Sequence, residues 1–360
     1  MDKIIRERAS FDLIREEIDN GLSGKNRGIS MGFKRLNKYI SIRKRIMTLV
    51  MGGSGSGKTS FTTEAYILNP FEHYCTHPET NMKVIFFSME RSKVYTITKW
   101  LTRKIYLSEG VLIPIGKMLG WWEDNKLSHD EHDLILKYED YINKLTEEFV
   151  EIIEGTQNPF GIHKYLKEFS EKRGKIEHIN EFKKVYIPDK NEVIIPIIDH
   201  ISLIKQEKGQ STKKEAVDKL CEYMQIARDL LGYSPTLVSQ LNRSLSAGMY
   251  GKAEEIEPNL DSAKESGAPS EAADVVLSLF EPLRYRTSDP SYNAEKFVDP
   301  NTGGRYFRSL KILKSTYSEA DIRMGLAFQG ATGVFKELRK PKDIQDIDYE
   351  EILNGSYFLK

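Results

Sequence analysis

One octapeptide limits the architecture more than any other feature. Gly52-Gly53-Ser54-Gly55-Ser56-Gly57-Lys58-Thr59 fits GxxxxGK[ST] in full, follows the apolar run Met47–Met51 and leads into a helix-forming stretch. A strand, a glycine-rich loop and a helix in that order form an α/β unit whose loop N–H groups surround phosphates. Glycine lets the backbone turn that tightly, and the helix N-terminus adds positive potential. In such a loop Lys58 reaches the β- and γ-phosphates of ATP, and the Thr59 hydroxyl ligates Mg²⁺.

The rest of the chain repeats the strand–helix alternation. Apolar runs at 47–51, 84–88, 149–153, 193–198, 236–239 and 275–280 predict buried strands. Helical patterns at 59–68, 91–106, 162–173 and 213–231 separate several of them. The expected fold is a mostly parallel sheet with helices on both faces. Phe307–Leu313 and Ile322–Phe328 flank a polar turn, which predicts an antiparallel hairpin at the sheet edge. Residues 9–20 read as a short amphipathic helix stopped by Asn20-Gly21, followed by a flexible linker. Such a helix packs back on its own domain or docks on a neighbouring subunit. The polar stretches 69–82, 175–191 and 284–306 read as insertions.

Three strand ends carry polar groups. Asp199 ends a buried strand, where an acid is costly unless a cation such as Mg²⁺ sits beside it; capping the next helix is the alternative. Glu90 follows 84–88 and either activates an attacking water or opens a helix. Gln240 follows 236–239, where a neutral amide can sense a γ-phosphate or simply face solvent.

Composition sets a few bounds. Formal net charge is zero, so any basic surface is a local patch. Two cysteines, Cys75 and Cys221, make no disulfide framework and fit a reducing cytoplasm. No run approaches about 18 apolar residues, so no membrane span is expected, no membrane partner is foreseen, and the start MDKIIRERASF lacks a signal-peptide core. His73, Cys75 and His77 lack an evident fourth ligand and read as a surface loop. Ser128 with Glu131 reads as a capping box, Trp121-Trp122 as aromatic packing with base stacking as the alternative, and the basic run Lys34, Arg35, Lys38, Arg43, Lys44, Arg45 as a solvated face, with contact to nucleotide or a neighbouring subunit as the alternative.

Taken in order, Gly28-Ile29-Ser30-Met31-Gly32-Phe33, the phosphate loop, Phe87-Ser88-Met89-Glu90, Ile197-Ile198-Asp199, Ser239-Gln240-Leu241-Asn242-Arg243-Ser244 and Lys264-Glu265-Ser266-Gly267 resemble the motor domain of DnaB-type replicative helicases. The similarity runs from about residue 28 to 335. The resemblance implies a RecA-like fold and a ring, usually hexameric, that binds ATP and Mg²⁺ between subunits and translocates on single-stranded DNA. It implies Lys58 and Thr59 on phosphate and Mg²⁺, Glu90 as the base, Asp199 as the metal-supporting acid and Gln240 as the sensor. It places Lys264, Glu265 and Gly267 on a pore loop holding single-stranded DNA, with Arg243 nearby; 205–210 reads either as a second, mobile pore loop or as a plain surface loop. Lys264 stands where the family usually has arginine; lysine still neutralises phosphate.

On this reading residues 1–27 are a linker helix and linker, 28–340 the motor and 341–360 a tail. A motor without the family's N-terminal domain or a primase-like zinc motif suits a virus or mobile element whose primase and loader are separate chains. The family's Lys-x-Arg finger corresponds to Lys314-Ser315-Thr316, so Lys314 is kept and Thr316 takes the arginine's place. Either Lys314 serves alone, or a nearby Arg305, Arg308 or Arg323 substitutes, or hydrolysis is slow. That departure motivates the alternative of a nucleotide-switched single-strand binder without unwinding. A kinase is disfavoured by the absence of an acceptor-site motif.

Overall fold

The structure, a computed structural model, describes residues 10–77, 81–180, 183–187, 192–241, 258–263, 266–285, 287, 289 and 291–360. Its centre is strand β1, Thr48–Gly52, buried at every residue. Parallel neighbours flank it: β7 (Thr236–Gln240), β6 (Val193–Asp199), β2 (Met82–Ser88) and β3 (Val150–Glu154) on one side, β8 (Val275–Phe280) on the other. Beyond β8 the sheet turns antiparallel through β9 (Phe307–Ser315), β10 (Ile322–Gln329) and β11 (Val334–Glu337). The nine strands run in the order β11-β10-β9-β8-β1-β7-β6-β2-β3. β4 (Lys175–Asn180) and β5 (Lys183–Ile187) form a separate antiparallel ribbon.

Alternation along each strand feeds two cores. Val50, Phe86, Ile197 and Leu277 join one face, whereas Leu49, Met51, Ile85, Ile198 and Val276 join the other. The first face is covered by α2 (Lys58–Thr63), a π-helical turn (Glu64–Leu68) and α3 (Asn69–Thr76), with Phe61, Ile67 and Phe71 fully buried. The segment expected as a polar insertion at 69–82 therefore begins as helix. Pro70 lies in the first turn, where a missing N–H is tolerated, and Phe71 anchors the segment. α4 (Lys93–Glu109) starts at Ser92, whose hydroxyl accepts from the Tyr95 N–H, and stops at Gly110 with φ 71°. α5 (Ile115–Met118), α6 (His129–Leu136) and α7 (Glu139–Lys144) follow, and α6 opens with the expected Ser128–Glu131 capping box.

On the second face α8 (Pro159–Glu171) and α9 (Lys213–Asp229) pack together, with Ile162, Leu166, Leu220 and Met224 fully buried. The short α10 (Ala268–Ala272) precedes β8. The stretch 284–306 is also anchored rather than loose: Tyr292, Ala294 and Phe297 pack with Phe307, Ile352 and Phe358. Ile352 and Phe358 lie on and after the last helix, α11 (Asp346–Asn354), so the C-terminal residues lie against the core.

Helix α1 (Ser10–Leu22) runs one residue past the predicted Asn20-Gly21 stop. Phe11, Ile14, Ile18 and Leu22 are all exposed, so the described residues leave this apolar side uncovered. Among the described residues no helix is long and apolar enough to cross a membrane.

Candidate active site

Parallel strands with matched register deliver their carboxyl ends to one edge. Asp199 of β6 stands opposite Ser88 of β2, and Gln240 of β7 stands opposite Gly52 of β1. The loop between β1 and α2 therefore opens beside all three predicted strand-end groups. Lys58, Thr59, Glu90, Asp199 and Gln240 line one cavity of about 780 Å³, a size that suits a nucleotide.

The loop has no room for side chains. A Cβ on Gly52 would sit 2.6 Å from Ser56 Oγ and 2.7 Å from the Leu279 carbonyl oxygen. Gly57, at φ 95°, is the left-handed residue from which α2 starts, and a Cβ there would meet Phe335 and Phe328. Lys58 Nζ donates to the Gly53 carbonyl at 2.9 Å, curled over its own loop. Burial pulls the Lys58 ammonium down to about 8; Asp199 and Glu90 oppose the shift and Arg284 adds to it.

Asp199 is buried, and its carboxyl is pushed up to about 6 by that burial. A hydrogen bond with Thr59 and the charges of Lys58 and Lys99 pull the other way, and Glu90 adds to the rise. Ser56 Oγ is buried with no hydrogen-bond partner among the described residues. A glycine cradle, an orphaned loop hydroxyl and a buried acid against the loop threonine fit a phosphate chain with a divalent cation. Glu90 is half-exposed and stands between Arg91 (3.3 Å) and His200 Nε2 (3.8 Å).

The raised Asp199 carboxyl has a signed consequence for the nucleotide-free chain. Its folded value lies above the unfolded value of about 4, so the folded state penalises the ionised form. The penalty is absent below about pH 4 and complete above about pH 6. Asp199→Asn is therefore expected to raise the melting temperature at neutral pH, with the gain fading on acidification through that window. A lower melting temperature at neutral pH would show that the carboxylate is net stabilising.

Several groups that no motif announced support the loop. Arg308, on β9, donates from Nε to the Ser56 carbonyl at 2.9 Å and pairs with buried Glu281. Arg305 also pairs with Glu281 at 2.8 Å, and Arg323 pairs with Asp289 at 3.3 Å. The three arginines considered as substitute fingers are thus each engaged within this chain, and Arg308 is buried behind its own phosphate loop. Lys99 donates to Ser60 Oγ at 3.0 Å, one residue past Thr59, and lines the same cavity. Glu64 takes a hydrogen bond from Arg103 at 2.9 Å and another from the Phe335 N–H at 2.7 Å. These two bonds tie the phosphate-loop helix to α4 and β11.

The remaining predicted residues lie elsewhere. Lys314 Nζ donates to the Ser270 and Glu271 carbonyls at 3.0 and 2.9 Å, at the end of α10, outside the cavity. Arg243, Lys264 and Glu265 lie outside the described residues. Gly267 is exposed at the start of α10, next to Ser266, whose hydroxyl reaches Asp218 of α9 at 2.5 Å. In the second expected pore loop, the Lys205 N–H donates to the Gln157 carbonyl at 2.8 Å, and the Phe160 N–H donates to Glu207. Both contacts fasten this loop to the start of α8. Trp121 stacks on Tyr95 and meets Trp122 edge-on, and both tryptophans stay half-exposed.

A phosphate loop on a central parallel strand, a strand-end acid on the loop threonine and a second acid one strand away define a nucleotide-binding protein of the RecA-like P-loop class. The sequence matches the DnaB-like helicase C terminal domain over residues 28–335, and the chain belongs to that family. Solved structures share the fold, two among them over most of this chain. One, described as an ATPase domain, is 16% identical with a TM-score of 0.67, over 92% of this chain and 100% of that one. The other, a DnaB-like replicative helicase described with its interactions with primase, is also 16% identical with a TM-score of 0.67, over 93% of this chain and 69% of that one. No curated protein matches the chain.

Proposed function

We propose that the chain is an ATP-dependent replicative DNA helicase that moves along single-stranded DNA as a ring, in the family's usual hexameric form. The observation that carries the reading is the convergence of Lys58, Thr59, Glu90, Asp199 and Gln240 on one cavity in a chain of this family. Thr59 and Asp199 would hold Mg²⁺, which when bound neutralises charge building on the phosphates. The loop N–H groups and Lys58 bind and orient the phosphate chain. Glu90 takes a proton from the attacking water. Gln240, at the end of β7, reads the γ-phosphate and passes its presence to the segment that follows, which carries Arg243, and Lys264, Glu265 and Gly267 grip the strand's backbone. Lys314 acts from a neighbouring subunit. A primase and a loader are expected as separate partners.

Ring assembly on this reading uses α1, whose exposed Phe11, Ile14 and Ile18 seek a cover. Ile14→Asp with Ile18→Asp is expected to shift the purified chain from oligomer to monomer in light scattering without lowering its melting temperature. An unchanged oligomer would exclude α1 from the interface.

One observation favours a second reading, a nucleotide-switched single-strand binder. Lys314, Arg305, Arg308 and Arg323 are all engaged within the chain, and Thr316 stands at the finger position. Strand displacement on a forked DNA duplex separates the two. The helicase reading expects ATP-dependent displacement that is lost in Lys58→Ala; tight, ATP-dependent single-strand binding with no displacement supports the switch.

A further inference from the structure

A second cavity, of about 500 Å³, lies at the opposite end of the sheet's antiparallel side. Five cations from three separated segments line it: Arg35 and Lys38, Arg323, and Lys340 and Lys342. Among the described residues no carboxylate lines it, although the whole chain is electrically neutral. Glu337 and Asp289 pair with Arg35 and Arg323, so the surplus positive charge at this cavity rests on Lys38, Lys340 and Lys342.

Two of the cations are fixed in place. Arg35 faces Glu337 at 3.9 Å and donates to the Tyr292 hydroxyl from both terminal nitrogens, and that hydroxyl donates to the Arg339 carbonyl. Arg323 is held by Asp289, whose other oxygen accepts from the Ser291 and Tyr292 N–H groups. Holding guanidinium groups before a ligand arrives lowers the ordering cost of binding. Lys38, Lys340 and Lys342 are exposed and make no ion pair among the described residues. The site thus combines a fixed cationic floor with three point charges on long, exposed stems.

Its position separates it from the nucleotide. β10 begins at this cavity with Ile322 and Met324 and reaches the other with Phe328. Six residues of strand span roughly 20 Å, so no phosphate of a nucleotide at Lys58 reaches it. A concave pocket with no carboxylate in its lining, in which three lysines stand beside two guanidinium groups, suits phosphate groups.

We infer that this pocket is a second nucleic-acid contact, binding backbone phosphates of a strand away from the nucleotide site. Nucleic acid as the source of those phosphates rests on the helicase reading; the anion site itself does not. The test is acylation footprinting of the full chain with an oligothymidylate, read by mass spectrometry. Lys38, Lys340 and Lys342 are expected to be protected, whereas exposed Lys126 keeps its rate. Lys38→Glu with Lys340→Glu and Lys342→Glu is expected to weaken oligonucleotide binding by about tenfold or more at low salt and to reduce the salt slope by about 2. Unchanged acylation of all three lysines overturns the inference. Protection by inorganic tripolyphosphate but not by oligonucleotide overturns the strand and assigns the pocket to a small phosphate ligand. A chain that protects these lysines yet never hydrolyses ATP refutes the motor reading and leaves this one standing.

Discussion

Glu90→Gln is expected to lower ATP turnover by about 10²–10⁴ while nucleotide binding stays within a few-fold. The substitution keeps the size and polarity of the side chain and removes only its capacity to accept a proton. Glu90 is suited to that task because it lies in the same cavity as Lys58 and Asp199 yet remains half-exposed, where a water can approach it. Phosphate affinity comes from the loop and Lys58, which the change leaves alone. Single-turnover hydrolysis and binding of a fluorescent nucleotide, measured on the same protein, separate the two effects. Equal loss of both would mean that Glu90 shapes the site rather than taking part in the chemistry. Undiminished turnover would move the base elsewhere.

The largest stability effect is expected at Glu64. Its carboxylate and the Arg103 guanidinium are only 5% and 7% exposed. Both carboxylate oxygens are used, one by Arg103 and one by the Phe335 N–H. Glu64→Ala leaves a buried guanidinium and a buried N–H without their acceptor, which costs about 3–5 kcal/mol. The urea midpoint should fall with the slope unchanged. Glu64→Gln with Arg103→Met removes the buried charges together and should recover much of that loss. If the single variant unfolds at the wild-type midpoint, the pair is not a structural tie. Because this pair joins the phosphate-loop helix to α4 and β11, nucleotide affinity should fall alongside stability.

These two residues also mark the limits of sequence reading. Glu90, Asp199 and Gln240 were legible because each ends an apolar run, and parallel strands must bring those ends to one edge. The phosphate loop was legible because its geometry is local. Glu64 and Phe335 are 271 residues apart in the chain, and Arg308 and Ser56 are 252 apart. No local spacing records such pairs, so the groups that brace the loop stayed hidden. Strand β11, with the sequence VFKE, was too short to show a period, so β9 and β10 were expected to form the edge that β11 occupies. Phe71, Tyr292 and Phe297 were hidden differently: each is a buried anchor set among polar residues, and the surrounding composition suggested insertion. Arg35 and Lys38 of the basic run at 34–45 share a cavity with Arg323, Lys340 and Lys342, a grouping that no local spacing records because the other three arrive from distant segments.

If the cavity turns ATP hydrolysis into work on single-stranded DNA, ATP hydrolysis by the purified chain, measured with and without single-stranded DNA and with Lys58→Ala as the blank, will show it. Turnover is expected to rise with DNA and to be lost in the variant, so that some group supplies what the residue at the Thr316 position does not. Little or no turnover under either condition, with DNA still held when ATP is present, would contradict the motor and leave a nucleotide-gated clamp.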